Sequence, residues 1–264
     1  MAAAEPKSIN LNADLGESFG AWTMGADEAL LGVVASANLA CGFHGGDPEV
    51  MRRSVAAAVA RGVSIGAHPS YPDLQGFGRR RLDMAPREIE ALVAYQVGAL
   101  AGIAAMEGAR VSHVKPHGAL NNVACAERPV AAAIARAVRA VDPALILLAP
   151  ACSELLAAGR EAGCRVAVEV FADRAYTDDG QLVPRGRPGA FVHGAAASLA
   201  HVLRMLEEGA LVSLSGKRLP TAIDSICVHG DNAEAVAVAA ALRRGLEGAG
   251  YAIRPLPDLP TTTS

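Results

Sequence analysis

The chain has 264 residues, a net charge of −3, and 52% hydrophobic residues, of which only a small share, 4% of the chain, is aromatic. That length suits one large α/β core, and the apolar content excludes a disordered chain. A pI near 6.2 leaves no basic surplus for holding a nucleic-acid backbone.

In chain order, a short apolar strand is expected at 8–13 and a helix at 26–32, then a strand at 35–41 and a helix at 48–61. A strand at 63–67 precedes a helix at 86–107, and a strand at 111–115 precedes a helix at 129–141. A strand at 144–149 leads to a helix at 152–162, and a strand at 165–170 leads through a long connection to a helix at 195–208. A strand at 225–228 and a helix at 232–247 finish the series. The strands are continuous apolar runs, the pattern of strands buried on both faces. Asp47 before Pro48 supplies an N-cap and a proline at the first helical position, and Asp231 and Asn232 are placed to cap the last helix. Gly62, Gly108, Gly163, Gly209 and Gly248 each follow a helical run, where a left-handed residue favours glycine.

Seven β-then-α units predict parallel strands with right-handed crossovers. The choice is between an open doubly wound sheet and a closed barrel. Polar residues stand at nearly every strand exit, and a barrel gathers such residues at one mouth, whereas an open sheet spreads them along an edge. The fold expected is α/β: an irregular seven-stranded (β/α) barrel, one domain over 1–264 with short irregular tails at 1–7 and 255–264. The connection 171–193 contains an Asp178-Asp179-Gly180 turn, expected to fold it into a hairpin over the mouth.

No stretch approaches the roughly 20 uninterrupted apolar residues of a membrane span, and the first residues lack the pattern of a secretion signal. A soluble, cytoplasmic protein that meets no membrane is therefore expected. Five cysteines, Cys41, Cys125, Cys152, Cys164 and Cys227, include no CxxC pair, which excludes a fully paired disulfide framework and a cysteine zinc ribbon. Most are expected as small buried hydrophobes, with Cys41 the one to watch as a reactive thiol.

Six motifs carry groups with chemistry. Asn10-Leu-Asn12-Ala-Asp14-Leu-Gly-Glu17 places an amide and two carboxylates at a strand exit, suited to base chemistry or to binding a metal or an ammonium, or else to capping the loop. Cys41-Gly-Phe-His44-Gly-Gly-Asp47 lets backbone approach a ligand closely and ends at a helix start, and His44 exceeds what a tight turn needs. His68 follows the third strand, and the arginines Arg79, Arg80 and Arg81 beyond it either clamp an anion or face solvent. His113, Lys115 and His117 fall on one side of a strand if it continues through Pro116; Lys115 would stabilise developing negative charge and His117 would move protons. Asp173 and Arg174 either serve the mouth or pair with each other, and His229 and Asp231 either serve it or lead into the last helix.

Leu11-Asn-Ala-Asp-Leu-Gly-Glu17, Ala40-Cys-Gly-Phe-His-Gly-Gly-Asp-Pro48, Gly66-Ala-His-Pro-Ser-Tyr-Pro-Asp-Leu-Gln-Gly-Phe-Gly78 and Val114-Lys-Pro-His-Gly-Ala-Leu120, followed by Phe171-Ala-Asp-Arg-Ala-Tyr176 and Val228-His-Gly-Asp231, resemble the LamB/YcsF family. The resemblance implies a barrel of the glycoside hydrolase/deacetylase type and ATP-dependent hydrolysis of 5-oxo-L-proline to L-glutamate, with two partner subunits, B and C. Where the family motif tends to read Ala-Leu-Tyr-Asn, this chain has Ala119-Leu120-Asn121-Asn122, which removes an aromatic hydroxyl. The chain has no Gly-Lys-Ser/Thr phosphate loop, so ATP falls wholly or partly to the partners. On this reading Asp14 and His117 transfer protons, Lys115 stabilises charge, and His44 and His68 bind substrate or an intermediate. Asn12, Arg79, Asp173, Arg174 and His229 complete the binding set. A metal-dependent amide or carbohydrate deacetylase-like hydrolase is the alternative, with Asp14, His44, His68 and His117 as candidate ligands of a divalent ion. A non-catalytic scaffold role is another, and whether the chain forms a homo-oligomer is open.

Overall fold

The computed structural model describes residues 7–229 and 233–260. From the N-terminus run β1 (Lys7–Leu15), α1 (Asp27–Leu31), β2 (Ser36–Ala40), α2 (Pro48–Ala60), β3 (Ser64–His68), α3 (Pro86–Met106) and β4 (Val111–Val114). Next come α4 (Gly118–Ala126), α5 (Arg128–Val141), β5 (Ile146–Pro150), α6 (Glu154–Glu161), β6 (Arg165–Phe171) and α7 (Ala195–Glu208). The ribbon of β7 (Ala210–Val212) and β8 (Arg218–Pro220) precedes β9 (Ser225–Val228), α8 (Ala233–Gly248), β10 (Tyr251–Ile253) and a 3-10 turn at Leu256–Asp258.

Strands β1 to β6 and β9 pair in parallel in the order β1-β2-β3-β4-β5-β6-β9, and β9 pairs back onto β1. The closed seven-stranded barrel is therefore present. β10 adds outside the ring, in parallel with Lys7–Ile9 of β1.

Alternation along the strands sorts two environments. Leu11, Ala13, Leu15, Ala37 and Leu39 point outward into the apolar layer beneath the helices. Asn10, Asn12, Ser36, Asn38, His113, Glu169 and Ser225 are buried and bond to one another inside the ring. Asn12 Nδ2 reaches Glu169 Oε1 at 2.9 Å, and His113 Nε2 lies 3.0 Å from Asn38 Oδ1. Such barrels usually fill their centres with branched apolar side chains; here a connected polar network bonds its members to one another instead, with Glu169 Oε2 left without a hydrogen-bond partner. Gly66 makes room for it, since a Cβ there would lie 2.1 Å from His113 Nε2. Below, Ile146, Leu148 and Ala167 meet Leu256, whose N–H donates to Ser36 Oγ, so the 3-10 turn plugs the floor.

The seven predicted strands and seven predicted helices all form. Sequence reading overlooks α4, the ribbon, β10 and the plug, and Lys7 already belongs to β1. Asp47 caps α2 as expected, accepting from the N–H groups of Glu49 and Val50. Gly248 is the last residue of α8, and the left-handed conformation falls on Gly250. Asp231 and Asn232 lie outside the described residues. Against expectation, α3 is long and apolar enough by length and composition to cross a membrane. Its stripe of Ile89, Leu92, Val93, Gln96, Val97, Leu100 and Ala104 is buried, and the helix packs on α2 and α5 as part of the core.

Candidate functional site

At the C-terminal rim of the strands lies a cavity of about 360 Å³. Asp14, Glu17, His68, Phe77, Arg79, Lys115 and His117 border it, joined by Asn121, Phe171, Arg174 and His229. The strand exits converge on one mouth, as their scattered polar residues imply.

Lys115 forms the charged centre. It follows the last residue of β4 and is 2% exposed. Its Nζ stands 3.0 Å from Asp14 Oδ1, 2.9 Å from Glu169 Oε1 and 3.1 Å from Cys227 Sγ. Burial disfavours the ammonium, but the charges of Asp14 and Glu169 outweigh it and hold Lys115 well above its ordinary pKa. Burial likewise works against the Asp14 carboxylate, but His68 and Lys115 overcome it and hold the group well below the usual range. Glu169 has no exposure and differs in outcome: burial raises it, and Lys115 compensates only in part. His113, beneath Lys115, is pushed down to about 3 by burial and then by the nearby ammonium.

Beside this centre stand three imidazoles and a third acid. His44 Nε2 lies 3.1 Å from Glu17 Oε1, and His117 Nε2 lies 3.6 Å from the same oxygen. The His44 and His117 rings stack with centroids 3.7 Å apart and planes 5° from parallel, while His68 meets His117 edge-on at 5.0 Å. His68 Nδ1 donates to the Lys115 carbonyl at 2.6 Å, which turns Nε2 toward Asp14 Oδ2 at 3.3 Å. His117 Nδ1 faces Ser70 Oγ at 3.3 Å. Gly78 permits that approach, because its φ is +62° and a Cβ would stand 2.1 Å from the Ser70 hydroxyl. Burial lowers the pKa of both His44 and His117, with Glu17 opposing the shift at His44 and the His44 ring adding to it at His117.

The other expected residues take distinct places. Strand β4 stops at Val114, so a common strand face accounts for His113 and Lys115 but not for His117, which precedes α4 in a loop. Asn12 lies under the cavity, bonded to Glu169 and Ser225. Arg79 borders the cavity with its guanidinium over the Phe77 ring, whereas Arg80 pairs with Asp73 and Arg81 with Glu127. Asp173 pairs with His229 at 2.8 Å rather than with its neighbour Arg174. Arg174 donates to the carbonyls of Val183 and Ala190, so it fastens the hairpin while bordering the cavity. That hairpin forms as the Asp178-Asp179-Gly180 turn implies, with Tyr176 bridging Leu182 and with Leu182, Pro184 and Arg185 along the mouth. Cys41 is no reactive thiol: burial pushes it up to about 12. Sequence reasoning missed Glu169 as the partner of Lys115. Its signal is a lone acid inside the apolar run Val166-Ala-Val-Glu169-Val-Phe171.

The LamB/YcsF family model matches residues 9–261. The chain belongs to the LamB/YcsF family. Among its relatives is the A subunit of 5-oxoprolinase from Azoarcus sp. (strain BH72), 62% identical over 95% of this chain and 98% of that one. The corresponding 5-oxoprolinase chain of Gluconobacter oxydans is 55% identical over 95% and 98%. The crystal structure of a lactam utilization protein from Thermus thermophilus superposes with a TM-score of 0.88 at 45% identity, covering 94% of this chain and 99% of that one. In this LamB/YcsF chain Asn121, at the position where sequence reading expects tyrosine, is buried at the cavity wall with its Oδ1 3.9 Å from Cys125 Sγ.

Proposed function

We propose that this chain is the A-type subunit of an ATP-hydrolysing 5-oxoprolinase, a soluble cytoplasmic hydrolase that takes part in opening 5-oxo-L-proline to L-glutamate. End-to-end identity of 62% to the A subunit of a 5-oxoprolinase carries the reading. The cavity supplies chemistry to match it.

A five-membered lactam is protected by amide resonance. Phosphoryl transfer from ATP to the amide oxygen removes that protection. Water then adds to the ring carbon, the C–N bond breaks as nitrogen takes a proton, and hydrolysis of the remaining acyl phosphate leaves glutamate. Negative charge on oxygen must be met by a fixed cation. Lys115 is held charged at the cavity and is the group for that task. Asp14, kept ionised, is a weak proton acceptor; its contacts suit it to orienting Lys115 and His68. Activation of water falls to the cluster of Glu17, His44, His68 and His117. Arg79 at the rim suits the substrate carboxylate. Phosphoryl donation is assigned to the B and C subunits, wholly or in part.

Isotope-traced ATP and 5-oxoproline should yield glutamate only when this chain is combined with both partners. Lys115→Ala and His117→Ala should each lower glutamate formation about 100-fold or more. Glutamate from B and C alone would reject the function, and near-normal turnover by either variant would reject the site.

A further inference from the structure

We infer that Glu17, His44, His68 and His117 form a binding site for a divalent transition-metal ion of the zinc type. The inference deepens the reading above, in which this cluster activates water, and rests on it only for the use to which the ion is put.

Spacing is the first argument. One donor atom from each of the four residues fits within 4.8 Å of the others. Zinc bonds of about 2.0–2.1 Å place tetrahedral ligands about 3.4 Å apart. The distances from Glu17 Oε1 to His44 Nε2, 3.1 Å, and to His117 Nε2, 3.6 Å, lie on either side of that edge. Three imidazoles and a carboxylate are a donor set for a first-row transition ion rather than for magnesium, which takes oxygen.

Ring orientation is the second argument. A ligating histidine commonly spends its other ring N–H on a carbonyl or another outer partner, which fixes the tautomer. His68 does this with the Lys115 carbonyl, and His117 Nδ1 faces Ser70 Oγ. His68 Nε2 is consequently buried with no hydrogen-bond partner and faces the Asp14 carboxylate at 3.3 Å. The Lys115 ammonium on Asp14 Oδ1 already supplies positive charge beside that carboxylate, and the Nε2 lone pair, otherwise unpaired, is open to a proton or a metal ion. His44 Nδ1 is also buried without a partner, so no outer hydrogen bond pins that ring. It is the ring able to turn out of its stack with His117, as it must for both Nε2 lone pairs to aim at one ion.

The other grouping of donors, Asp14, Cys227 and His229, is unsuited, because the Lys115 ammonium already lies on Asp14 Oδ1 and Cys227 Sγ.

The test uses the full chain, stripped by chelation and titrated with Co²⁺, whose visible absorption reports coordination. One equivalent should bind, with X-ray absorption on the unmodified protein counting three imidazoles. His44→Ala and His68→Ala should abolish the signal, and Ser70→Ala should weaken affinity about 10-fold through His117. Thermal melts establish that the variants are folded. Absence of stoichiometric binding, fewer than two imidazoles around the ion, or unchanged binding in folded His44→Ala and His68→Ala each overturns the site. Stoichiometric Co²⁺ binding by a chain that gives no glutamate with both partners would reject the oxoprolinase reading and leave the metal site standing.

Discussion

Lys115 sits between two carboxylates, one enclosed by the barrel and the other open to the cavity, with side-chain exposures of 0% for Glu169 and 14% for Asp14. Removing one member of a buried ionic group costs about 3–5 kcal/mol, because the remaining charges lose their partner. Lys115→Met should therefore lower the melting temperature by about 10 °C. Adding Glu169→Gln to it should restore part of the loss by removing a stranded charge. Melts of the two variants check this, and an unchanged midpoint in Lys115→Met would show that the pair contributes nothing to the fold. Lys115, Asp14, His44, His68 and His117 were legible because each stands at or just past the end of an apolar run. Their gathering at one mouth was legible too, but the pairing of Glu17 with His44 and His117 was not, since Glu17 and His117 become neighbours only after four strands close into an arc. His113 obeys the same period as Lys115, yet one step down the strand makes it part of the interior network.

Elements with strong end signals were the easiest to read. Asp47 illustrates why: one oxygen accepts from Glu49 and Val50 at the start of α2, and the other accepts from Gly20 N–H at 2.7 Å. A single side chain thus starts a helix and ties the loop that follows β1. Asp47→Ala should cost about 1 kcal/mol, lowering the melting midpoint by about 2–4 °C; a calorimetric scan that shows no drop would sink the capping argument. The missed helix α4 begins with Gly118 directly after Pro116-His117 and contains Asn121 and Asn122, all weak helix formers. Tertiary contact with α5 and α6 supplies what propensity lacks. β7, β8 and β10 have three residues each, too few for a periodic signal.

Across the whole molecule, Asp173 after β6 and His229 after β9 form an ion pair that bridges adjacent strand exits. Burial lowers the pKa of His229 but Asp173 raises it further, and the net shift is upward; for Asp173, burial is outweighed by His229 and the net shift is downward. The stabilisation from His229 is complete below about pH 6.5 and fades as pH climbs through its higher native value. That from Asp173 is complete above about pH 3.9 and fades as pH falls through its lower native value. The pair is at full strength between those limits. Asp173→Asn should thus lower the melting temperature more at pH 5.5 than at pH 9, by about 2–4 °C for a contribution of about 1 kcal/mol. Equal losses at both pH values would reject the charged pair.

One edge of β1 carries β10 along Lys7–Ile9 and β2 along Asn12–Leu15, while the other edge is closed by β9. During synthesis β1 emerges long before Ser225–Val228, the segment that closes this second edge. Until then that edge offers unpaired amides to any passing strand. Ring closure is a late, long-range event that sets a slow step in folding, and a nascent chain held in that half-finished state is where aggregation would begin.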